Sequence, residues 1–234
     1  MRRFLSQLFG IGPTRVESFS SFALKTNPLA PVHQPEKRTF CLKKELGEMF
    51  SIEQPAKWLG HPLSPSSSFH KNPRYISEHF LAAEPDRYLY SLDQGAIFGD
   101  HGLVYHPESR TLIKESVKDW FLSMNKLPIL RAPRLSSPEK LPGIAFSAVT
   151  LGGGGYYHFL LESLPRAIFF GKHLSTVDYL LVNGPCTDWK LRWWKHLGVK
   201  PDTIRWISGS SHFSFDQLIF TSHLVTDCQP NPWL

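Results

Sequence analysis

Four consecutive glycines, Gly152 to Gly155, stand between an apolar run at residues 144–151 and a helical pattern at residues 156–170. An apolar run, a glycine turn and a helix in that order predict the exit of a buried strand into a crossover helix. Glycines there let the backbone adopt unusual dihedrals and let another group approach without meeting a Cβ. The first N–H groups of the helix have no intrahelical partner and suit an anionic ligand. The run is not a dinucleotide fingerprint, because position 157 is Tyr, and no Gly-Lys-Ser/Thr follows to make a phosphate-binding P-loop. By itself the glycine run is equally readable as a plain strand–helix turn.

The pattern continues as strand and helix. Residues 177–183 read as a buried strand ending in Gly184-Pro185. Thr187 or Asp188 can cap a helix over residues 189–197, which stops at Gly198. Residues 205–207 and 217–221 are further short strands. Strands alternating with helices predict a parallel α/β sheet. Upstream, residues 88–92, 96–98, 102–105 and 111–114 are short extended runs separated by polar turns, which predict a small antiparallel meander. A helical turn is expected over 117–122, and the prolines of 128–142 predict an irregular connector. The chain thus divides into a loop-rich region at 1–85, a meander and connector at 86–142, and an α/β unit at 143–234. In the first region only a short helix over 43–50 and a loop over 61–73 are legible. The first twelve residues read as a frayed terminus or a short interfacial helix, with Phe4, Leu5 and Leu8 opposite Arg2 and Arg3.

Composition narrows the function classes. Of 234 residues, 41% are hydrophobic and 20% charged, so a core can form without disulfides or a structural metal. Cys41, Cys186 and Cys228 are widely spaced and make no C-x-x-C, which argues against a zinc ribbon and for reduced thiols in the cytoplasm. No stretch approaches the length of a membrane span. The formal charge of +6 favours an anionic partner, whether a nucleotide diphosphate, an anionic lipid surface or nucleic acid, though no run of like charges marks a nucleic-acid arm.

The helix after the glycines carries the chemistry. His158 and Glu162 are spaced i, i+4 and share a face, and Arg166 extends it. Imidazole can serve as base or donor near neutral pH, with Glu162 orienting it or acting as base itself. Arg166 can brace the helix or bind an anion. A solvated helical ion network is the competing reading. Leu160, Leu161, Leu164 and Ile168 are expected to face the core. Pro165 lies inside the pattern and predicts a kink or break near 161–164. On the next helix, Trp189 and Trp193 are expected to pack on the sheet, with Lys190, Arg192, Lys195 and His196 solvated. A stacking platform for sugars or bases is the other reading of those tryptophans. Phe213, Phe215 and Phe220 read as strand core. There is no G-x-S-x-G elbow and no H-E-x-x-H, which argues against hydrolase and zincin chemistry.

The string Tyr156-Tyr157-His158-Phe159-Leu160-Leu161-Glu162-Ser163-Leu164-Pro165-Arg166 resembles the pattern of glycosyltransferase family 61, whose bacterial members include capsular polysaccharide biosynthesis proteins. That pattern is an aromatic pair, His, an aromatic, two apolar residues, an acid, and Leu-Pro-Arg. The meander at 95–115 is similar to the family's strand-rich lead-in, and residues 177–183, 189–197 and 215–222 to its first Rossmann-like half. The likeness runs from about residue 87 to the C-terminus.

The resemblance implies an α/β fold: the Rossmann-like N-terminal, acceptor-side half of a GT-B-type enzyme, preceded by a small antiparallel β-meander. It implies inverting transfer of a sugar from a nucleotide-sugar donor to a glycan acceptor, with no essential metal and no cofactor. His158 and Glu162 would be the catalytic residues, and Gly153, Gly154, Gly155, Tyr157 and Arg166 would contact substrate. In the family a second Rossmann-like domain with a His-Gly motif binds the donor. This chain ends at Pro230-Asn-Pro-Trp-Leu234, and His101-Gly102 lies in the meander instead. The expectation is a truncated or split enzyme, with a second chain supplying the donor site, in the cytoplasm or peripheral to the inner membrane. The alternatives are a non-catalytic glycan-binding or assembly subunit and, more distantly, a basic nucleic-acid-binding protein.

Overall fold

The computed structural model describes residues 13, 15–19, 21–22, 36–37, 88–117, 127–131 and 135–223. The helix expected over 43–50, the loop over 61–73, the interfacial segment at the N-terminus, Cys41, Cys228 and most of 117–122 lie outside the described residues. The strands are β1 (Arg15–Glu17), β2 (Glu36–Lys37), β3 (Tyr88–Asp93), β4 (Ala96–Phe98), β5 (Leu103–His106), β6 (Thr111–Ile113), β7 (Glu139–Lys140), β8 (Ile144–Ser147), β9 (Tyr179–Asn183), β10 (Ile204–Ile207), β11 (His212–Ser214) and β12 (Gln217–Thr221). A short helix α1 (Pro128–Arg131) precedes β7. Helix α2 covers 156–170 in three joined segments, Tyr156–His158, Phe159–Ser163 and Leu164–Phe170, and helix α3 is Asp188–His196.

The fold is mixed α/β and has two mixed sheets. One has the order β10-β9-β8-β12-β3-β2, in which β10, β9, β8 and β12 run parallel and β3 pairs antiparallel with β12. The other has the order β1-β6-β5-β4-β11-β7 and contains the antiparallel run β6-β5-β4-β11. Two exchanges tie the sheets together. Strand β3, expected as the first strand of the meander, joins the parallel sheet. Strand β11, which contains Phe213, pairs with β4. Strands from both sides of residue 142 are therefore interleaved in both sheets.

Period-two alternation explains the layers. Ala145, Leu181, Leu218 and Phe220 point into a core shared with Ile97, Val104 and Ile113 of the second sheet. Phe146, Leu180 and Val182 point to the opposite face, where they meet Phe159, Leu164 and Ile168 of α2 and Trp194 of α3. Phe146 and Phe170 stack with centroids 4.3 Å apart. The far face of the second sheet packs Ala96, Leu103, Tyr105 and Leu112 against Leu127, Ile129 and Leu135. So the parallel sheet carries α2 and α3 on one face and a second sheet on the other.

Helix α3 corrects one expectation. Its buried stripe is Lys190, Trp194 and Leu197, rotated one residue from the expected Trp189–Trp193 stripe. Trp193 is exposed and Trp189 only partly buried. The reason is Lys190. Its Nζ donates to the carbonyls of Asn183, Gly184 and Pro185 at 3.1, 3.4 and 3.3 Å, so this cation is drawn under the helix to close the end of β9. Burial pushes its pKa down. Gly198 ends α3 at φ +76°, a left-handed conformation that favours glycine. Its N–H donates to Lys195 O and that of Val199 to Trp194 O.

Helix α2 accommodates Pro165 by widening rather than breaking. Leu164 N–H donates to Phe159 O, five residues back, and Phe159–Ser163 forms a π-helical turn. Proline has no N–H and would collide with the carbonyl four residues before it. The wide turn moves that carbonyl aside and shifts the register of everything that follows.

Two histidines make the fold sensitive to acid. Tyr105 Oη lies 2.6 Å from His212 Nε2 in the buried centre of the second sheet. Burial raises the Tyr105 pKa and lowers that of His212, so the phenol donates to a neutral imidazole. Burial also lowers the pKa of His106, whose Nδ1 accepts the Ser109 N–H. A group whose pKa is depressed in the folded state binds more protons when unfolded, once pH falls below its ordinary value of about 6.5. Stability is therefore expected to fall as pH drops from about 7 to about 5. Urea midpoints across that range should show the decline, and His212→Gln should flatten it. An unchanged slope in the variant would remove His212 from this account.

Candidate functional site

The site lies where β8 leaves the parallel sheet. Three successive residues after β8 are each tied to α2. Ser163 Oγ donates to Ala148 O. Arg166 Nη1 donates to Val149 O at 3.0 Å. Thr150 Oγ1 donates to Glu162 Oε2 at 2.7 Å. On the sheet side, Ala148 N–H still pairs with Leu181 O. The strand exit is thus fixed by backbone on one flank and by helix side chains on the other.

Glu162 is the hub. It is 3% exposed, and its second oxygen, Oε1, lies 2.9 Å from His158 Nδ1. A carboxylate accepts only, so Thr150 and His158 both donate to it. The pair is therefore not the solvated helix-face network that spacing allowed. Nδ1 thus faces Glu162, so any proton exchange with a substrate falls to the other ring nitrogen, Nε2. The ring is partly exposed, with a fifth of its side-chain surface open to solvent (21%).

Arg166 is buried along with its neighbours, not displayed beside His158. Besides Val149 O, it donates through Nη2 to His223 Nδ1 at 2.8 Å. An arginine cannot accept, so His223 is neutral at Nδ1. Burial pushes the guanidinium pKa down to about 10, with the Glu162 charge opposing, so it stays charged at neutral pH. Val149 follows β8 and His223 follows β12, so Arg166 clamps two adjacent parallel strands at their C-terminal ends. Among the roles sequence allowed it, bracing is the one its hydrogen bonds perform.

The glycines divide into two pairs. Gly152 has φ +81°, and a Cβ there would come within 2.7 Å of His158 Cδ2. A Cβ on Gly153 would overlap the Asn183 carboxamide, 2.8 Å from Cγ. These two are glycine because side chains of this same chain fill the space. Gly154 and Gly155 are exposed; a Cβ on Gly154 would be 3.1 Å from Gly184 O. Gly155 caps α2, its carbonyl accepting the Phe159 N–H. Gly153 is buried, so close approach by a ligand is left to the exposed glycines and the first turn of α2. Tyr157 is exposed in that turn, its ring edge-on to His158 at 5.2 Å.

Asn183 is a further residue of the site. It closes β9, accepts the Thr150 N–H at 3.0 Å through Oδ1, and donates from Nδ2 to Asp100 O at 2.7 Å. Asp100 belongs to the β4–β5 turn. Gly102 of that turn packs on Val149, where a Cβ would sit 3.0 Å from Val149 O. The Asp100-His101-Gly102 tip, which the sequence placed away from the glycine loop, thus reaches the floor of the site. Thr150 and Asn183 share one legible signal: a polar residue ends each apolar strand run shortly before a glycine. In open α/β sheets that is where ligands bind.

Among the described residues no three His, Cys, Asp or Glu side chains group closely enough to hold a metal ion. Nor is any helix there long and apolar enough to cross a membrane. Cys186 is an exposed free thiol. No protein-family model matches the sequence, and no curated protein or solved structure matches it.

The overlap of Gly153 with Asn183 makes a measurable coupling. Gly153→Ala is expected to destabilise the protein by about 1–3 kcal/mol through overpacking. In an Asn183→Ala background the same change should cost distinctly less, because the opposing carboxamide is gone. Denaturant titration of the four proteins gives the interaction energy, and strict additivity would show that the two residues do not compete for one space.

Proposed function

We propose that this chain is the acceptor side of a glycosyltransferase similar to family 61, with His158 as general base and Glu162 as the group that orients it. The observation that carries the reading is the Thr150–Glu162–His158 hydrogen-bonded chain at the exit of a parallel strand, beside an exposed glycine cap. The string at 156–166 adds the family resemblance. In the proposed step an acceptor hydroxyl gives its proton to His158 Nε2 as its oxygen attacks the anomeric carbon of the donor sugar. The bond from that carbon to the nucleotide diphosphate breaks, and the diphosphate leaves with the electron pair. Glu162, buried and already hydrogen-bonded, stabilises the imidazolium that forms.

Within this reading Gly154, Gly155 and the first-turn N–H groups of α2 face the departing diphosphate. Gly153 keeps the loop seated on Asn183. Arg166 holds the strand ends and adds positive charge behind Glu162, and Tyr157 borders the acceptor. In this reading the donor nucleotide belongs to a second Rossmann-like unit outside the described residues, and the α/β half described above would serve as the acceptor half of a GT-B enzyme. The non-catalytic alternative, a glycan-binding or assembly subunit, retains the acceptor contacts and dispenses with the proton transfer.

Transfer from UDP-glucose, UDP-xylose, UDP-N-acetylglucosamine or GDP-mannose to oligosaccharides, assayed on the chain purified with its native partners, tests the proposal. His158→Ala is expected to lower kcat by about 10²–10⁴-fold, the span of general-base catalysis. Glu162→Gln should lower it less and leave KM for the acceptor nearly unchanged. Transfer that survives His158→Ala intact would overturn the catalytic assignment. Absence of transfer from all four donors would move the chain to the glycan-binding reading.

A further inference from the structure

Tyr156, Tyr157 and Trp193 are the exposed large hydrophobic side chains among the described residues, at 61%, 46% and 36% exposure. All three are aromatic. Exposed apolar side chains that are scattered need no explanation, but these lie around the first turn of α2 and the facing side of α3. Trp189 joins them. Its ring meets Tyr156 edge-on at 5.2 Å and Phe159 edge-on at 4.9 Å, and Phe159 is buried in the core. Tyr156 is therefore held from beneath although its outer surface is open. Trp193 follows Trp189 by one helical turn, which carries the aromatic surface along α3.

We propose that Tyr156, Tyr157, Trp189 and Trp193 form a saccharide-stacking platform that leads an acceptor oligosaccharide to His158. The inference rests on the glycan reading above for its ligand class and on the rings for its location. An aromatic face is electron-rich and attracts the polarised C–H face of a pyranose ring. A protein partner's apolar core would need aliphatic surface as well, and no large aliphatic side chain is exposed among the described residues. Bracing by Trp189 and Phe159 lowers the ordering cost of binding. Tyr157, edge-on to His158, sets a sugar stacked on it beside the imidazole.

The test is binding without any nucleotide sugar, using cellohexaose, xylohexaose, chitohexaose and a galacturonate oligomer as probes. Calorimetry gives affinity, and tryptophan fluorescence reports on the platform itself. At least one probe should bind saturably. Tyr156→Ala and Trp193→Ala should each weaken it about tenfold or more, as loss of a stacked ring does. Tyr156→Phe, which keeps the ring, should stay within about twofold. Both residues are exposed, so unchanged circular dichroism is expected and separates lost binding from lost fold.

Failure of every probe to bind, or equal affinity in wild type, Tyr156→Ala and Trp193→Ala, overturns the platform. So does binding of a single-stranded thymidine oligomer that displaces the sugar, which would make the surface a base-stacking one. Saccharide binding by a wild-type protein that transfers from none of the four donors keeps the platform and moves the chain to the glycan-binding reading. Transfer that needs His158 but ignores Tyr156 and Trp193 does the reverse.

Discussion

The geometry of the site depends on how α2 is sewn to the segment it has just left. Ala148, Val149 and Thr150 continue from β8 with only partial ladder pairing, and their polar groups would otherwise end inside the protein. Ser163, Arg166 and Glu162 meet them one for one. A buried backbone carbonyl left without a partner costs roughly as much as a typical hydrogen bond contributes, or more, on the order of 1–3 kcal/mol. The same contacts hold Glu162 in place, so the residue that orients His158 is anchored by the strand exit and not by solvent-facing neighbours. The π-turn belongs to this arrangement. Leu164-Pro165 forces the extra residue into the turn, and the extra residue sets the angular offset between Glu162 and Ser163 upstream and Arg166 downstream.

The two-sheet layering completes the site from the other side. Because a second sheet instead of more helices covers the inner face of the parallel sheet, the β4–β5 turn lies over the C-terminal strand ends. Asn183 joins the two systems through one carboxamide, using its oxygen for Thr150 and its nitrogen for Asp100. The exchange of β3 and β11 between the sheets makes that closeness a property of the topology. Moving the turn would disturb the pairing of β4 with β11 as well.

Much of the α/β half could be read from sequence because it rests on local patterns. The runs at 177–183 and 217–221, the stop at Gly198 and the disturbance before Pro165 each follow from propensity or sterics over a few residues. What was misread involved two elements at once. Sequence spacing placed Trp193 inward and Lys190 outward, since hydrophobicity is the only term visible along one helix. The carbonyls of Asn183, Gly184 and Pro185, which draw Lys190 inward, lie on another strand's exit. Strands β7 and β11 are short and weakly apolar, so their existence depends on partners far along the chain. The His158–Glu162 contact follows from i, i+4 spacing, but the burial of Glu162 does not, because Thr150 meets it from another element, the exit of β8.

The glycine run takes on a different meaning once its neighbours are known. A run of four suggests a floppy loop or a cradle for phosphate along its whole length. Two of the four are instead packed against His158 and Asn183, so the loop is a spacer of fixed thickness between α2 and the end of β9. That makes the remaining pair more specific. Gly154 and Gly155 are held in place by the packed pair behind them and followed at once by two exposed tyrosines. A ligand reaching this cap meets donors at the helix start on one side and aromatic faces on the other, with His158 between them. Donors suit an anionic group and aromatic faces a sugar ring, which is the pairing that the proposed transfer from a nucleotide-linked sugar to a glycan requires.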